Sequence, residues 1–218
     1  MDEESLFRDI HRHLLKQART GEHIDTELRL ADRFNVSRHY VRRALETLTQ
    51  MGVVTRTQKR GISFTTPEPE QISKQLESKL KVSGFDPREL SEARQLFDTA
   101  LLSLTTRRIA PASLGILSET LQQMEGCLEF RGAALKLHQR FWEIIFESAG
   151  NRVLQVFANS LLINAMNTLE NHMDDLTPEW YSDMLSCDRE VLQALRQNNL
   201  DDAQRVVSDW LTQAFDFD

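Results

Sequence analysis

The chain has 218 residues, 40% of them hydrophobic, and a formal net charge of −7 at pH 7. With a mean hydropathy of −0.43, this composition predicts a soluble protein of one large or two modest domains that can build a core. No apolar run approaches the roughly 18 to 20 residues that a membrane span requires, and the acidic start at residues 1–4 lacks the apolar region of a signal peptide.

Three helices are expected in the first 52 residues, each with one apolar face at helical spacing. Asp25 is the expected N-cap of the second helix, and Ser37 is that of the third. Asn35 tolerates the left-handed backbone that a tight turn between them requires, and Gly52 can end the third helix. The three apolar faces consist of Leu6, Ile10, Leu14, Leu15 and Ala18, of Leu28, Leu30, Ala31 and Phe34, and of Val41, Ala44, Leu45, Leu48 and Met51.

The third helix has a cationic outer face. Arg38 and Arg42 are four residues apart, as are His39 and Arg43, and both pairs lie opposite the apolar face on a helical wheel. The planar fork of arginine can reach guanine O6 and N7 together. This spacing is typical of the second helix of a DNA-binding helix-turn-helix. The alternative is a solvated arginine face on a structural helix.

Basic charge is concentrated around this helix although the whole chain is acidic. Residues 1–66 hold 12 Lys and Arg against 9 Asp and Glu, a net of +3, whereas residues 67–218 hold 14 against 24, a net of −10. Residues 29–60 alone hold 8 against 2, a net of +6. Because local potential governs contact with phosphate, the negative total does not exclude DNA binding.

Two β-prone runs, residues 53–56 and 62–65, follow the third helix. They predict a hairpin whose tip holds Lys59, Arg60 and Gly61. The two cations are expected to meet phosphate or the minor groove, and the glycine lets the backbone approach closely. Helix, helix-turn-helix and hairpin in this order predict a winged helix-turn-helix of three helices and a β-hairpin wing.

The domain boundaries follow from these elements. Residues 1–66 are the expected winged helix-turn-helix domain, residues 67–72 a proline-containing linker, and residues 73–218 a second domain. From about residue 71 onward, apolar residues repeat at helical spacing in six stretches, with few prolines between them. This pattern predicts an antiparallel all-helical bundle of six or seven helices, so the chain is mainly α. The first stretch is Leu90, Ala93, Phe97, Ala100, Leu101 and Leu104.

Short motifs in the first domain resemble a known family. They are residues 28–38 (Leu-Arg-Leu-Ala-Asp-Arg-Phe-Asn-Val-Ser-Arg), residues 41–45, Leu48, residues 52–54 and Arg60-Gly61. Through them, residues 7–66 resemble the winged-helix domain of the GntR family of bacterial regulators. Family members usually carry a DNA-contacting arginine where this chain has Leu28, and Arg29 is the nearest substitute. The resemblance implies operator-contact positions at Ser37, Arg38, His39, Arg42 and Gly61.

A second resemblance covers residues 71–215. Its motifs are Glu92-Ala93-Arg94 with Asp98, Phe141 with residues 148–151 (Ser-Ala-Gly-Asn), and residues 191–195 with Asp201 and Ala203. They resemble the all-helical FCD ligand-binding domain of the FadR subfamily. The resemblance implies that the second domain binds a small-molecule effector and forms a homodimer, and that Arg94 faces inward.

Many FCD domains hold a divalent metal with one aspartate and three histidines from three helices. Alignment on the motifs above places these four ligand positions at His138, Trp142, Asp188 and Trp210. Tryptophan is not a metal ligand in any ordinary site, and the other two side chains are fewer than the three or more that transition-metal sites usually have. The sequence therefore predicts that the family metal site is lost and that no cofactor is bound.

His138 and Asp188 lie on helix faces that periodicity predicts to be buried, where each needs a partner. A hydrogen bond between them would satisfy both, with the two tryptophans filling the space. The pair is either structural or lines an effector cavity with Arg94, and Arg94 could instead pair with Asp98 one turn further on. The predicted effector site consists of Arg94, Asp98, His138, Trp142, Asp188 and Trp210.

These features predict a bacterial, cytoplasmic transcriptional repressor. Two chains are expected to pair symmetrically on a palindromic operator in double-stranded DNA. A small-molecule effector, a small carboxylic acid or alternatively an acyl-CoA thioester, would shift the helical bundle. The rival hypothesis is a DNA-independent ligand-sensing adaptor that keeps the winged helix as an interaction surface.

The sequence predicts no enzyme activity and no membrane partner. It has no phosphate-binding glycine loop and no nucleophile elbow, and no nucleophile is indicated near His138 and Asp188. Cys127 and Cys187 form neither a metal-binding spacing nor a disulfide framework. They indicate passive thiols in a reducing cytosol rather than redox sensors.

Overall fold

The computed structural model describes residues 3–20, 24–50, 54–57, 61–64 and 68–214. Within these ranges the chain is mainly helical, as the sequence predicted, and none of the helices has the length and apolarity to cross a membrane. Contacts divide the chain into two compact units, Met1–Glu68 and Pro69–Asp218. In chain order the elements are α1 (Glu3–Thr20), α2 (Glu27–Phe34), α3 (Arg38–Gln50), β1 (Val54–Thr57), β2 (Gly61–Phe64), α4 (Pro69–Val82), α5 (Pro87–Arg108), α6 (Pro111–Glu125), α7 (Arg131–Ser148), α8 (Arg152–Asn171), α9 (Pro178–Arg196) and α10 (Leu200–Ala214).

The first unit is the predicted winged helix-turn-helix. Its three helices and strand β1 share one apolar core, and β1 pairs antiparallel with β2, so that Val54 lies opposite Phe64 and Thr57 opposite Gly61. Met51, Gly52, Lys59 and Arg60, which the sequence analysis assigned to the end of α3 and to the hairpin tip, lie outside the described residues. The core consists of Leu6, Ile10, Leu14, Leu30, Ala31, Val41, Ala44, Leu45, Leu48 and Val54.

The turn between α2 and α3 has the left-handed residue that the sequence predicted. Asn35 adopts φ 51° and ψ 50°. The N–H of Val36 donates to the carbonyl of Ala31 at 3.1 Å, and the N–H of Asn35 donates to that of Asp32 at 3.3 Å. The turn therefore satisfies carbonyls at the end of α2 and redirects the chain into α3.

The start of α2 differs from the prediction. Thr26, not Asp25, is the N-cap, because its side chain accepts a hydrogen bond from the N–H of Arg29 at 3.4 Å. Asp25 is instead buried, and its Oδ2 is hydrogen-bonded to Nε2 of His13 on α1 at 2.8 Å. Leu28, expected on the apolar face of α2, is 55% exposed.

The second unit is a bundle of seven helices, α4 to α10, in line with the six or seven expected. Helix α7 contacts α5, α6, α8 and α9, so it lies at the centre of the bundle. Residues 69–72, which the sequence analysis placed in a linker, instead form the first turn of α4. Proline is compatible with this position because the first residue of a helix has no helical partner for its N–H.

The buried face of α5 is partly polar, which the apolar stripe expected from the sequence did not indicate. In that stripe Leu101 is buried, and Phe97 and Leu104 are partly buried against the same core. Phe97 is half-buried and stacks on Phe157 of α8, with ring centroids 5.7 Å apart. The polar side therefore enters the core, and the apolar side packs partly against α8. The buried residues of α5 are Arg94, Asp98, Leu101, Leu102, Thr105 and Thr106.

Replacement of Asn35 tests the turn of the first unit. A β-branched residue is strained in the left-handed region, so we expect Asn35→Val to lower the free energy of unfolding by about 1–2 kcal/mol. Asn35→Gly is the control and should stay close to the wild type, since glycine adopts this geometry without strain. Thermal unfolding of the two variants makes the comparison. Equal melting temperatures would contradict a requirement for the left-handed conformation.

Candidate nucleic-acid interface and buried polar centre

Helix α3 has one buried face and one exposed cationic face. Val41, Ala44, Leu45 and Leu48 are buried in the core of the first unit. The structure leaves all four cationic side chains that the spacing predicted to be outward exposed to solvent. They are Arg38, His39, Arg42 and Arg43. A helix whose apolar face packs on the core and whose cationic face is exposed has the geometry needed to present donors to a DNA groove.

Two of the predicted DNA-contact arginines have carboxylate neighbours. Nη2 of Arg42 donates to Oε2 of Glu27 on α2 at 3.3 Å, and Nη1 of Arg29 lies 3.9 Å from Oδ1 of Asp25. Both arginines are more than half exposed. Such pairs contribute little to stability because water screens them. Glu27 and Asp25 therefore lie beside the two guanidinium groups without removing them from solvent.

The other predicted contacts lie at element ends. Ser37 is exposed and directly precedes α3, and its carbonyl accepts the N–H of Val41 at 3.4 Å. Gly61 is the first residue of β2. Leu28, at the position of the missing family arginine, leaves an exposed apolar side chain on α2.

Sequence reasoning missed one exposed aromatic residue on the same helix. Tyr40 is 47% exposed and lies edge-on to His39, with ring centroids 6.1 Å apart. Its phenol adds a hydroxyl, which can both donate and accept a hydrogen bond, to the exposed side of α3. The signal was present in the sequence, since Tyr40 precedes Val41 and so falls off the apolar face.

A polar centre, defined by Arg94, Asp98, His138, Trp142 and Asp188, is buried in the second unit. Nδ1 of His138 hydrogen-bonds to Oδ2 of Asp188 at 2.7 Å, which is the hydrogen bond predicted from the sequence. Nε1 of Trp142 donates to the other carboxylate oxygen at 3.1 Å. Both ring donors come from α7, one turn apart, and converge on a single residue of α9.

Arg94 and Asp98 form the second pair of the polar centre. Nε of Arg94 donates to Oδ2 of Asp98 at 3.3 Å, one turn further along α5. This is the local pairing that the sequence analysis left open. Oδ1 of Asp98 accepts no hydrogen bond from the described residues.

Burial dominates the electrostatics of the polar centre. It raises the pKa of Asp98 to about 6, although the nearby charges of Arg94 and His138 oppose the rise. Burial also raises the pKa of Asp188, against the opposing charge and hydrogen bonds of His138 and Trp142. Removal of a carboxylate from water disfavours its charged form, and these partners offset only part of that cost.

Trp210 does not join the polar centre. Its ring packs against Trp180 at the start of α9, with centroids 5.2 Å apart. Trp180 lies eight residues before Asp188, which is about 12 Å along a helix. The residues at the four family ligand positions therefore do not fit a transition metal. Trp142 donates its indole proton to Asp188, Trp210 contacts another tryptophan, and among the described residues no group of three or more His, Cys, Asp or Glu is arranged to hold an ion.

A side cavity of about 640 Å³ opens between α5, α8, α10 and the connection from α4 to α5. Of the six residues predicted for the effector site, Arg94 lines this cavity. The other five do not line it, although all six lie in the described part of the chain. No sequence pattern indicates the cavity, because its walls come from segments about 80 and 120 residues apart and have no shared period.

Trp142→Phe tests the hydrogen bonds at Asp188. The substitution removes the indole donor and leaves a buried carboxylate oxygen without it, so we expect the free energy of unfolding to fall by about 1–3 kcal/mol. Trp210→Phe is the matched control, because it removes an indole whose ring packs on Trp180. In urea unfolding, it should lower the free energy of unfolding clearly less than Trp142→Phe does. Equal losses would show that the bond to Asp188 has no net value.

Asp98 should make stability depend on pH. Its pKa of about 6 lies above the ordinary aspartate value of 3.8. Its stabilising contribution is therefore fully present below the unfolded pKa and is lost as the pH rises through the folded pKa. Asp98→Asn removes this titration. From about pH 4.5 to about pH 7, the wild type should lose about 2 kcal/mol relative to this variant. Urea unfolding at the two pH values measures the difference, and a constant difference would contradict titration of Asp98 in this range.

Comparison with known families identifies both units. Residues 3–64 match the family described as "Bacterial regulatory proteins, gntR family", and residues 89–213 match the FCD domain family. Two similar proteins are from Bacillus subtilis (strain 168). The HTH-type transcriptional regulator LutR is 30% identical over 154 residues, which cover 69% of this chain and 70% of that protein. The uncharacterized HTH-type transcriptional regulator YcbG is 32% identical over 155 residues, which cover 69% and 64%.

Solved structures agree with the fold. Streptococcus agalactiae GntR has a TM-score of 0.64 at 17% identity, with 94% of this chain and 97% of that chain covered. E. coli McbR/YncC has a TM-score of 0.53 at 15% identity, with 95% and 94% covered. At these identities the likeness shows the fold alone, whereas the family matches cover both units. The chain therefore belongs to the GntR family of bacterial regulatory proteins and has an FCD domain as its second unit.

Proposed function

We propose that this chain is a cytoplasmic transcriptional repressor of the FadR subfamily that binds a specific operator and is controlled by a small-molecule effector. The observation that supports it best is α3, with four apolar residues in the core and four cationic residues exposed on the opposite side. Any solvated helix separates apolar from polar residues, but the first turn of α3 has no acidic residue and its start is cationic. Because cations near a helix N-terminus oppose the helix dipole, helix stability does not account for this face. Enzyme activity is not part of the proposal, since the similar proteins named above are transcriptional regulators.

Direct reading of the operator is assigned to the start of α3. Arg38 and Arg42 are one turn apart and would enter the major groove, where a guanidinium can pair with guanine O6 and N7. Ser37, His39 and Arg43 would add contacts to bases or phosphates. Arg29 would contact the phosphate backbone beside them. In the wing, Lys59, Arg60 and Gly61 would meet phosphate or the minor groove.

A homodimer is part of the proposal because a symmetric pair presents two recognition helices about one helical turn apart on a palindromic operator. Apolar surface on the second unit supports self-association. Leu96 is 72% exposed and Val153 is 67% exposed, and both lie near the stacked pair of Phe97 and Phe157 in chain position. Exposed apolar groups on neighbouring helices α5 and α8 suit an isologous contact with a second copy.

The effector is proposed to be a small carboxylic acid, with an acyl-CoA thioester as the second candidate. Arg94 supports an acidic ligand, because it is a guanidinium at the wall of a cavity. Asp98 would orient Arg94, while His138, Trp142 and Asp188 would hold α7 and α9 in register around it. Trp210 would secure α10 on α9. Regulation requires that the effector bind more tightly to the form that releases DNA.

One observation favours the rival function, a ligand-sensing adaptor that does not bind DNA. Leu28 places an exposed apolar side chain where family members usually carry a DNA-contacting arginine. Salt dependence separates the two functions. Phosphate contacts give operator binding a steep loss of affinity with rising salt, whereas an adaptor would show no specific binding to the promoter region of its own gene at any salt concentration.

Arg38→Ala tests the proposed reading of DNA. Loss of one bidentate contact to a base costs about 1–3 kcal/mol, and a homodimer loses one in each half-site, so operator affinity should fall about 30-fold or more. Arg12→Ala is the matched control, since Arg12 is an exposed arginine on α1, and it should leave specificity unchanged. Fluorescence anisotropy with operator and scrambled duplexes measures both. Size-exclusion chromatography should show the same oligomeric state for each variant. Operator affinity that Arg38→Ala leaves unchanged would refute the assignment of α3.

A further inference from the structure

The side cavity offers space for a ligand, whereas the polar centre does not. Its volume of about 640 Å³ falls within the roughly 300–1,000 Å³ of small-molecule sites. Three residues of the polar centre, His138, Trp142 and Asp188, are already engaged, because each is at most 1% exposed and they are hydrogen-bonded together. A ligand at the centre would have to break these bonds and leave buried polar groups without partners.

We propose that the effector is an organic anion with an apolar body, bound in the side cavity by Arg94 rather than at the polar centre. This inference rests on the proposed function, since it names the site and the chemical class of the effector. It departs from the arrangement in which an FCD domain builds its site around a metal, because the residues at those four positions here do not fit one.

The guanidinium of Arg94 is oriented before a ligand binds, which favours binding of an anion. It is 3% exposed and lines the cavity, and its Nε donates to Oδ2 of the fully buried Asp98 at 3.3 Å. This bond fixes the direction of the guanidinium plane. A ligand carboxylate would therefore meet an oriented fork rather than a flexible side chain, which lowers the entropy lost on binding.

The charged groups around the cavity are balanced once Asp98, the partner of Arg94, is counted, so an anion would be held by the oriented guanidinium rather than by net charge. The lining includes three cations, Lys81, Arg88 and Arg94, and two acids, Asp86 and Glu92. The carboxylate of Asp86 is already engaged as the N-cap of α5, where its Oδ1 accepts the N–H of Arg88 at 2.8 Å. The two exposed cations add a modest, screened attraction at the rim.

The opposite wall selects an organic body over an inorganic ion. Leu161 and Ala165 of α8 and Leu211 of α10 present apolar surface to the cavity. Asn164 and Thr168 lie on the same stretch of α8 and offer an amide and a hydroxyl. A phosphate ion would leave this wall uncovered, whereas a carboxylate with an apolar or hydroxylated body would contact both walls.

The position of the cavity explains how occupancy could reach the first unit. Leu80 and Lys81, near the end of α4, line the cavity, and α4 begins at the boundary with the DNA-binding unit. At its other end α4 is tied to α8, since Oγ of Ser73 donates to the carbonyl of Val156 at 3.1 Å. A ligand that touches both α4 and α8 acts on the helix that leads to the DNA-binding unit.

The test uses carboxylates and their neutral amides with the full chain: octanoate with octanamide, and benzoate with benzamide. Thermal shift and isothermal calorimetry should show binding of at least one carboxylate and none of its amide. Arg94→Lys, which keeps the charge and loses the fork, and Ala165→Phe, which fills the cavity, should each weaken binding about 10- to 100-fold. Ala112→Phe is the matched control, because Ala112 is exposed on α6 outside the cavity, and it should bind as the wild type does.

Three outcomes would overturn the inference. They are binding of neither carboxylate, equal binding of carboxylate and amide, and binding that Ala165→Phe leaves unchanged while Trp142→Phe weakens it. The last would return the effector to the polar centre. Ala165→Phe leaves the pair of Arg94 and Asp98 intact. It therefore tests ligand binding in the side cavity even where Arg94→Lys disturbs the fold. Operator binding by the wild type is measured in parallel, and its absence would contradict the proposed function instead.

Discussion

The second unit depends on the pairing of charged groups that it buries. An arginine, two aspartates and a histidine lie in the interior of one helical bundle, and each buried charge costs several kcal/mol unless a partner offsets it. Asp188 receives donors from two residues of α7 one turn apart, so it fixes the register between α7 and α9. Apolar packing alone tolerates small sliding of one helix along another, whereas two hydrogen bonds to one carboxylate do not.

The same constraint separates the two possible ligand positions. A polar group that is already paired in the core has little to offer a ligand, because each new bond must replace an existing one. Arg94 is the member of the polar centre that also reaches a cavity wall. The residues of the polar centre thus hold helices together, and Arg94 in addition lines the solvent-accessible cavity.

Local patterns in the sequence predicted much of this arrangement. The exposed arginines of α3 and the turn at Asn35 depend on spacing within a few residues, and both are present in the structure. The bond between His138 and Asp188 was predictable because two polar residues on buried faces need partners. The hairpin pairing followed from two short β-prone runs.

Other features depend on tertiary contacts that no local pattern contains. The apolar stripe of α5 did not indicate the polar residues Arg94 and Asp98, which enter the core beside Leu101 while α8 covers part of the stripe. Asp25 is a plausible cap by composition, but burial beside His13 engages it elsewhere and leaves the cap to Thr26. The cavity is formed by residues distant in sequence, so periodicity cannot reveal it.

Helix α4 is fastened in a different way from the rest of the bundle. Across its whole length, which the structure describes in full, the buried residues are Ser73 and Glu77, and Oε1 of Glu77 accepts a hydrogen bond from Nδ2 of Asn167 at 2.9 Å. Each such bond contributes only about 1 kcal/mol, and segments with few buried apolar contacts open at a lower free energy than the core. In amide hydrogen exchange, α4 should therefore be less protected than the central helix α7, which places a more easily opened helix at the boundary between the two units.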